Sequence, residues 1–191
     1  VKLLKPGKGK VFVDCTYGCG GHTKVFLDMG VKRVYAIDRD LEALEEFKIE
    51  DKRVKFIWGN FKEIDRLVRE RVDGVLFDLG ISSYQLERGE RGFSYRLEGP
   101  LDMRMDRSSG LPCYRLIKGF KVEDLDYIIK SYGEERYSRR IARLMVTELP
   151  TTTQELREII RKITPPKWRV KILRRVWQGL RIFVNDEINA L

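Results

Sequence analysis

The sequence predicts an α/β fold, a parallel sheet joined to an all-helical subdomain, and three observations lead there. Four short apolar runs alternate with amphipathic stretches up to residue 78, the pattern of βαβ units with right-handed crossovers. A segment rich in glycine and proline then breaks the rhythm over residues 80–112. Beyond it the apolar residues recur at helical spacing. With 191 residues, 42% of them hydrophobic, the chain can bury a sizeable core, which excludes a disordered tail and fits one domain carrying a subdomain.

The elements follow in order. Val11-Phe12-Val13-Asp14-Cys15 reads as a buried strand whose carboxyl end opens into a glycine cluster. His22 to Met29 forms a helix stopped by Gly30. Val34 to Ile37 is a second buried strand ending at Asp38, and Leu41 to Lys48 a helix with Asp40 as its N-cap. Val54 to Trp58 is a third strand and Phe61 to Arg71 a third helix. Val75 to Phe77 is a fourth strand ending at Asp78. The segment 80–112 is a long loop; its Tyr84, Phe93, Tyr95 and several arginines are not a disordered composition, so a functional loop is expected. Helices follow at Val122–Tyr132, Glu134–Leu149, Gln154–Ile163 after a Thr151-Thr152-Thr153 cap, and Val170–Leu180 after Pro165-Pro166.

Charge is unevenly placed. Residues 1–106 hold 20 basic and 19 acidic side chains, residues 107–191 hold 18 and 10. A neutral half is thus followed by a basic one, the electrostatic footprint of a polyanion binder, although a Lys/Arg-rich solvated surface also fits. Three cysteines make no disulfide framework. Nothing resembles a signal peptide or a membrane-spanning run, so a reducing, cytoplasmic location is expected.

The loop Asp14-Cys15-Thr16-Tyr17-Gly18-Cys19-Gly20-Gly21-His22 joins the first strand to the first helix. There glycines let a ligand approach the backbone, and a helix N-terminus favours anionic groups. Asp38 follows Gly18 by 20 residues, the distance at which an acid accepts the ribose hydroxyls of a nucleoside. A dinucleotide fingerprint would need Gly or Ala where Thr23 stands, which disfavours NAD. Acids at 14, 38 and 78 suit the amino, ribose and adenine donors of S-adenosylmethionine, with Phe61 beside the adenine. Each residue alone also fits an ordinary role: Asp38 as a helix cap, Phe61 as a core aromatic, Gly18 to Gly21 as a tight turn. Cys15, Cys19 and His22 invite a metal, but a structural zinc needs four ligands and Cys113 lies far off, so no metal is expected.

These stretches also carry a resemblance. Asp14-Cys15-Thr16 through Gly20-Gly21-His22, Ala36 to Asp40, Phe77 to Gly80 with Ser82-Ser83 and Gln85-Leu86, Glu90 to Ser94, Gly99 to Asp106, Tyr132 to Arg136, Arg139 to Ala142, Gln178 to Arg181 and Val184 to Glu187 resemble the bacterial ribosomal RNA small-subunit methyltransferase H family, also called MraW. The resemblance covers nearly the whole chain and is most specific at Gly99–Asp106. It implies a Rossmann-like S-adenosylmethionine-dependent methyltransferase core with an inserted helical subdomain. The activity implied is N4-methylation of a cytidine in the decoding region of small-subunit (16S) ribosomal RNA.

Carried over by position, the cofactor contacts are Gly20, Gly21, His22, Asp38, Phe61, Asp78 and Gln85. The core spans residues 1–106, the basic substrate-recognition subdomain 107–183, and residues 184–191 begin a return to the core that family members continue into further strands. Tyr84 stands where the family has Pro, and Lys171-Ile172 where it has His-Pro.

The chemistry adds its own demand. The cytosine N4 lone pair is delocalised into the ring, so the amine must be held in line with the methyl and its proton accepted. Asp78, at the end of the fourth strand, is the expected catalytic carboxylate. Tyr84, Phe93 or Tyr95 is expected to stack on an extruded base unless these rings serve as core. Arg136, Arg140, Lys167, Arg174 and Arg175 are the expected substrate-binding residues, with Trp168 and Trp177 interleaved, for small-subunit ribosomal RNA or the assembled small subunit. The alternatives are a methyltransferase acting on another RNA or on protein, and a non-catalytic, cofactor-dependent RNA-binding protein.

Overall fold

The computed structural model describes residues 1–190 and divides at Tyr84/Gln85 into two compact units. The first carries β1 (Val11–Asp14), α1 (Gly21–Asp28), β2 (Arg33–Asp38), α2 (Leu41–Glu46), β3 (Val54–Trp58), α3 (Ile64–Leu67) and β4 (Gly74–Leu76). The strands lie in the order β3-β2-β1-β4 and every pair is parallel, with Val13 of β1 opposite Tyr35 on one side and Val75 on the other. All four residues of β1 are buried, as a central parallel strand covered on both faces requires. Phe12, Val34 and Ala36 pack with Phe26 and Leu27 of α1 and Leu44 of α2. On the other face Val11, Val13, Tyr35 and Ile37 pack with Phe61 and with Ile64 and Leu67 of α3. Each such buried side chain contributes roughly 1.5–3 kcal/mol, so the alternation along each strand fixes which helix covers which face.

Most boundaries shift by a residue or two from expectation, and Asp40 does cap α2 by accepting from the Ala43 amide. In the first unit the third helix departs furthest. Phe61–Glu63 is a 3-10 turn, the α-helix ends at Leu67, and Val68 is extended. Beyond it Glu70 accepts two hydrogen bonds from the Arg33 guanidinium at 2.9 and 2.8 Å, and Asp73 accepts the Val11 amide at 2.8 Å. These ties to β2 and β1 accompany the departure of residues 68–71 from the expected helix.

In the second unit α5 (Cys113–Gly119), α6 (Val122–Ser131), α7 (Ser138–Glu148), α8 (Thr153–Ile163) and α9 (Arg169–Val184) form the helical layer; the short α4 (Ser83–Glu87) spans the division. α6 packs on α7 and α9, and α8 packs on the same two helices. Thr152 and Glu155 close a reciprocal cap at the start of α8, a feature worth about 1 kcal/mol. α7 begins at Ser138 and not at Glu134, because Glu134 takes a left-handed conformation (φ 54°) and Glu135 turns its carboxylate onto the Tyr137 amide. α6 and α9 meet where side chains are absent: a Cβ on Gly133 would lie 2.3 Å from the Arg175 carbonyl oxygen.

The segment expected as a long loop is a built scaffold. Arg91 is fully buried, and its Nη2 donates to the carbonyls of Arg104 and Met105, both at 3.1 Å. Asp102 pairs with the Arg104 guanidinium at 2.8 and 2.9 Å. A Cβ on Gly99 would come 2.0 Å from the Gly89 carbonyl, so only glycine permits that crossing. Leu101 and Met103 are buried. Residues 85–106 therefore belong to the helical unit, and the division falls before them and not at the expected 106/107. Residues 184–189 also lie in that unit: the Asn185 side chain accepts from the Met105 amide and donates to the Met103 carbonyl, each at 2.7 Å.

Candidate cofactor site and basic face

In the first unit the strand order reverses at β1, whose neighbours β2 and β4 lead to connections on opposite sides. The crevice at the carboxyl ends of such strands is where open α/β sheets bind ligands. Three acids stand there. Asp14, at the end of β1, is fully buried; Thr23 of α1 donates to its Oδ2 at 2.8 Å and the Thr16 amide to Oδ1 at 3.4 Å. Burial raises its pKa against those hydrogen bonds. Asp14 thus shapes the turn from inside, and Thr23, standing where a dinucleotide fingerprint would need Gly or Ala, satisfies that buried carboxylate with its hydroxyl. The expectation that Asp14 itself faces a ligand is corrected by this packing.

Asp38, at the end of β2, is half-buried. Its Oδ2 accepts the Gly18 amide at 2.8 Å and its Oδ1 the Asp40 amide at 2.9 Å. Burial pushes its pKa up to about 6 although both backbone bonds favour the carboxylate. Each oxygen keeps acceptor capacity for a hydroxyl.

Gly18 and Gly20 are both left-handed, at φ 52° and 76°. Gly20 also lies on the buried Tyr17 ring, whose hydroxyl donates to the Phe47 carbonyl; a Cβ there would meet Tyr17 Oη at 2.6 Å. Gly21 is different. A Cβ at Gly21 meets nothing within 4 Å, so nothing in the described fold requires glycine at the N-terminus of α1, and open space lies before it.

Asp78 follows β4. Its amide donates to Thr16 Oγ1 at 2.8 Å, and its Oδ2 lies 2.9 Å from His22 Nε2; both side chains are substantially exposed. Phe61, in the turn after β3, packs edge-on against the half-exposed Phe77 with centroids 5.3 Å apart. Gly20, Gly21, His22, Asp38 and Asp78 therefore converge at one edge of the sheet, with Phe61 after the neighbouring strand. Gln85 is buried in α4, on the other side of the division. Sequence reasoning assigned no role to Thr16 or Thr23. Their signal was present in the hydroxyls flanking a glycine turn, where such side chains satisfy backbone and carboxylate groups.

The basic residues of the helical unit separate into two kinds. Arg136, Arg140, Lys167 and Arg174 are exposed. Arg175 is not a free cation: its Nη1 lies 3.6 Å from Glu135 Oε2, and Glu135 is buried. Arg139 turns to Asp126 at 3.9 Å. Trp177 is buried and donates its Nε1–H to the Gly92 carbonyl at 3.2 Å, so it is core, whereas Trp168 is 43% exposed. Of the three rings expected to stack on a base, Tyr84 and Phe93 are buried and Tyr95 is half-exposed. No helix among the described residues is long and apolar enough to cross a membrane.

Fold and site together define a doubly wound α/β domain with a glycine turn after β1 tied to an acid after β2, the arrangement in which such sheets bind ligands. The chain belongs to the MraW methylase family, whose model matches residues 1–191. It is 43% identical to the ribosomal RNA small subunit methyltransferase H of Neorickettsia sennetsu over all of this chain and 68% of that protein. It is equally 43% identical to the protein of the same name from Caldicellulosiruptor bescii, covering all of this chain and 67% of that one. A third, from Clostridium botulinum, is 44% identical over 95% of this chain and 63% of its own length. The chain thus spans about two thirds of the length of these relatives.

Proposed function

We propose that this chain carries the cofactor site and the RNA-facing helices of an S-adenosylmethionine-dependent methyltransferase that modifies small-subunit ribosomal RNA at a cytidine N4, in the cytoplasm, on free RNA or the assembled subunit. The observation that carries the reading is the turn at the sheet edge: Gly18 tied to Asp38, open space before Gly21, and the His22–Asp78 pair beside it. Family membership and the names of the relatives supply the methyl-transfer chemistry and the substrate.

The residues present fit such a cofactor. The acceptor capacity left on Asp38 suits two ribose hydroxyls, and the cradle a Cβ would fill at Gly21 suits close approach of a ligand to the backbone. When bound, S-adenosylmethionine supplies an electrophilic sulfonium methyl group. Asp38 would hold the ribose, the ring of Phe61 would pack by the adenine, and Gly20 and Gly21 would leave the backbone accessible. Asp78 would accept a hydrogen bond from the acceptor amine and then its proton, a role supported by the Thr16 hydroxyl that fixes its backbone and by His22 beside Oδ2.

Isothermal titration with S-adenosylmethionine tests the reading, followed by transfer of labelled methyl to small-subunit RNA. Micromolar binding that Asp38→Ala abolishes, with label in cytidine, is expected. Absence of binding to the parent chain, or label appearing only in protein, overturns it.

A further inference from the structure

In the helical unit one spot combines exposed cations with available aromatic rings, and it includes residues the sequence pattern did not join. Lys167, Lys171 and Arg174 follow one another at spacings of four and three, the interval that places side chains on one stripe of a helix; all three are exposed. Lys167 stands in the 3-10 turn that leads into α9, so the stripe runs about 10 Å along the axis. At its far end Arg174 Nε lies 3.4 Å from the Tyr95 hydroxyl, and the exposed Arg96 guanidinium lies 5.8 Å from the Tyr95 ring. These two cations hold the Tyr95 phenol below its ordinary pKa, Arg174 foremost, a sign of positive potential there.

At the near end Trp168 is 43% exposed, with the Lys167 ammonium 5.4 Å from its ring centroid. The Tyr95 ring packs edge-on against the buried Trp177, and Arg157 of α8 reaches the Tyr95 carbonyl at 3.4 Å. No acidic residue occurs between 165 and 181. The first turn of α9 likewise carries none, so the helix itself brings no acid to offset its cations and its positive end.

We infer that the Lys167–Lys171–Arg174 stripe, with Arg96 and the rings of Tyr95 and Trp168, is the surface on which the helical unit takes single-stranded RNA. Phosphates meet the cations and a base stacks on an aromatic ring. This inference rests on the methyltransferase reading for its choice of polyanion. A single strand suits the spot better than a duplex, because a paired base presents no free face to an aromatic ring. The surface excludes Arg175, which Glu135 holds, and it joins Arg96 and the Tyr95 ring to the cations Lys167, Lys171 and Arg174 of the basic run.

The test is fluorescence anisotropy of the 191-residue chain with a labelled single-stranded RNA dodecamer over a range of salt, with a hairpin duplex and an oligoglutamate peptide as competitors. Lys167→Glu/Lys171→Glu should weaken binding at least tenfold and flatten the salt dependence by more than one unit of slope. Trp168→Ala should weaken it about tenfold with the slope unchanged. Arg115→Glu/Lys118→Glu, on the exposed side of α5, is the control and should change affinity less than threefold. Circular dichroism melts show that each variant is folded, and Arg174→Gln provides a milder change at the Tyr95 end. Equal losses in the α5 control and the stripe variant, or none in the stripe variant, overturn the inference. So does displacement by oligoglutamate or duplex as effective as by single-stranded RNA. Calorimetry with S-adenosylmethionine on the same samples separates the two failures: a chain that binds cofactor but not RNA through this stripe leaves the cofactor reading standing, while one that binds no cofactor does not.

Discussion

The Gly18 amide donates to Asp38 Oδ2 at 2.8 Å, so the turn after β1 and the acid after β2 are one hydrogen-bonded unit. The acid is crowded enough that burial raises its pKa to about 6. Between its ordinary value of 3.8 and about 6 the folded chain holds a proton that the unfolded chain has released. Stability from this group therefore falls as pH rises through that window. Asp38→Asn removes the desolvated charge and should gain about 1–2 kcal/mol at pH 8 relative to its effect at pH 4, after allowance for partial exposure and lost acceptor strength. Thermal melts of parent and variant at both pH values check this. A gap that does not widen towards high pH contradicts it.

Cofactor affinity should follow the opposite course with pH. A carboxylate accepts from two hydroxyls, whereas a protonated carboxyl offers a weaker acceptor, so S-adenosylmethionine affinity should decline as pH falls below about 6, where Asp38 takes up its proton. Titrations at pH 5 and 7.5 measure it, with the Asp38→Asn variant expected to lose this dependence along with most of its affinity.

Adjacent glycines should respond differently. Gly20→Ala forces a left-handed backbone at φ 76° and drives a methyl into Tyr17, a combined cost of about 2–4 kcal/mol. Gly21→Ala has open space and should leave the melting temperature within about 2 °C of the parent. If the open space before Gly21 is where a ligand approaches, the same Gly21→Ala change lowers cofactor affinity at unchanged stability. Melting and calorimetry on the pair distinguish fold from site.

The parallel sheet was legible because β1 and β2 carry apolar runs that each end at an aspartate on the same edge of the sheet, and β3 is apolar but for Lys55. Asp38 and Asp78 were legible as acids at that same edge because each follows such a run. Asp14 was misread because an aspartate at a strand end looks alike whether it faces a ligand or a buried threonine; only the packing of Thr23 decides. Segment 85–106 looked like a loop because its order comes from contacts distant in sequence. Arg91 reaches Arg104 and Met105, Leu101 reaches Thr151, and Asn185 reaches Met103. No local period records such ties. In the same way Arg175 and Arg174 are neighbours with the same charge, and only the buried Glu135 makes one of them structural.

Asp78 carries the chemical part of the functional reading, and a neutral isostere isolates it. Asp78→Asn keeps the amide bond to Thr16 and a polar contact for His22 but cannot take a proton. Turnover on small-subunit RNA should drop about 10²–10⁴-fold, the usual worth of a general base. Cofactor affinity should change by less than about tenfold, within what one hydrogen bond contributes. Single-turnover rates on RNA together with calorimetry read both. Turnover intact at unchanged affinity would remove Asp78 from the reaction and leave it a contact of the loop.

Arg175 and Glu135 give a prediction in which stability and binding part company. Glu135 is almost wholly buried, and its Oε2 has the Arg175 guanidinium at 3.6 Å. Arg175→Met leaves that carboxylate without its counter-charge and should destabilise the helical unit by about 1–3 kcal/mol, reduced from the full cost of a broken buried pair because Arg175 is a third exposed. Adding Glu135→Gln should recover part of the loss, since the uncompensated charge is then gone, and a double-mutant cycle in urea should return a coupling of about 0.5–3 kcal/mol. RNA affinity of the folded Arg175→Met variant should remain within about threefold of the parent, because the lost charge, about one unit of the site, was already neutralised within the protein. A large loss of RNA affinity with no change in stability would return Arg175 to the substrate face.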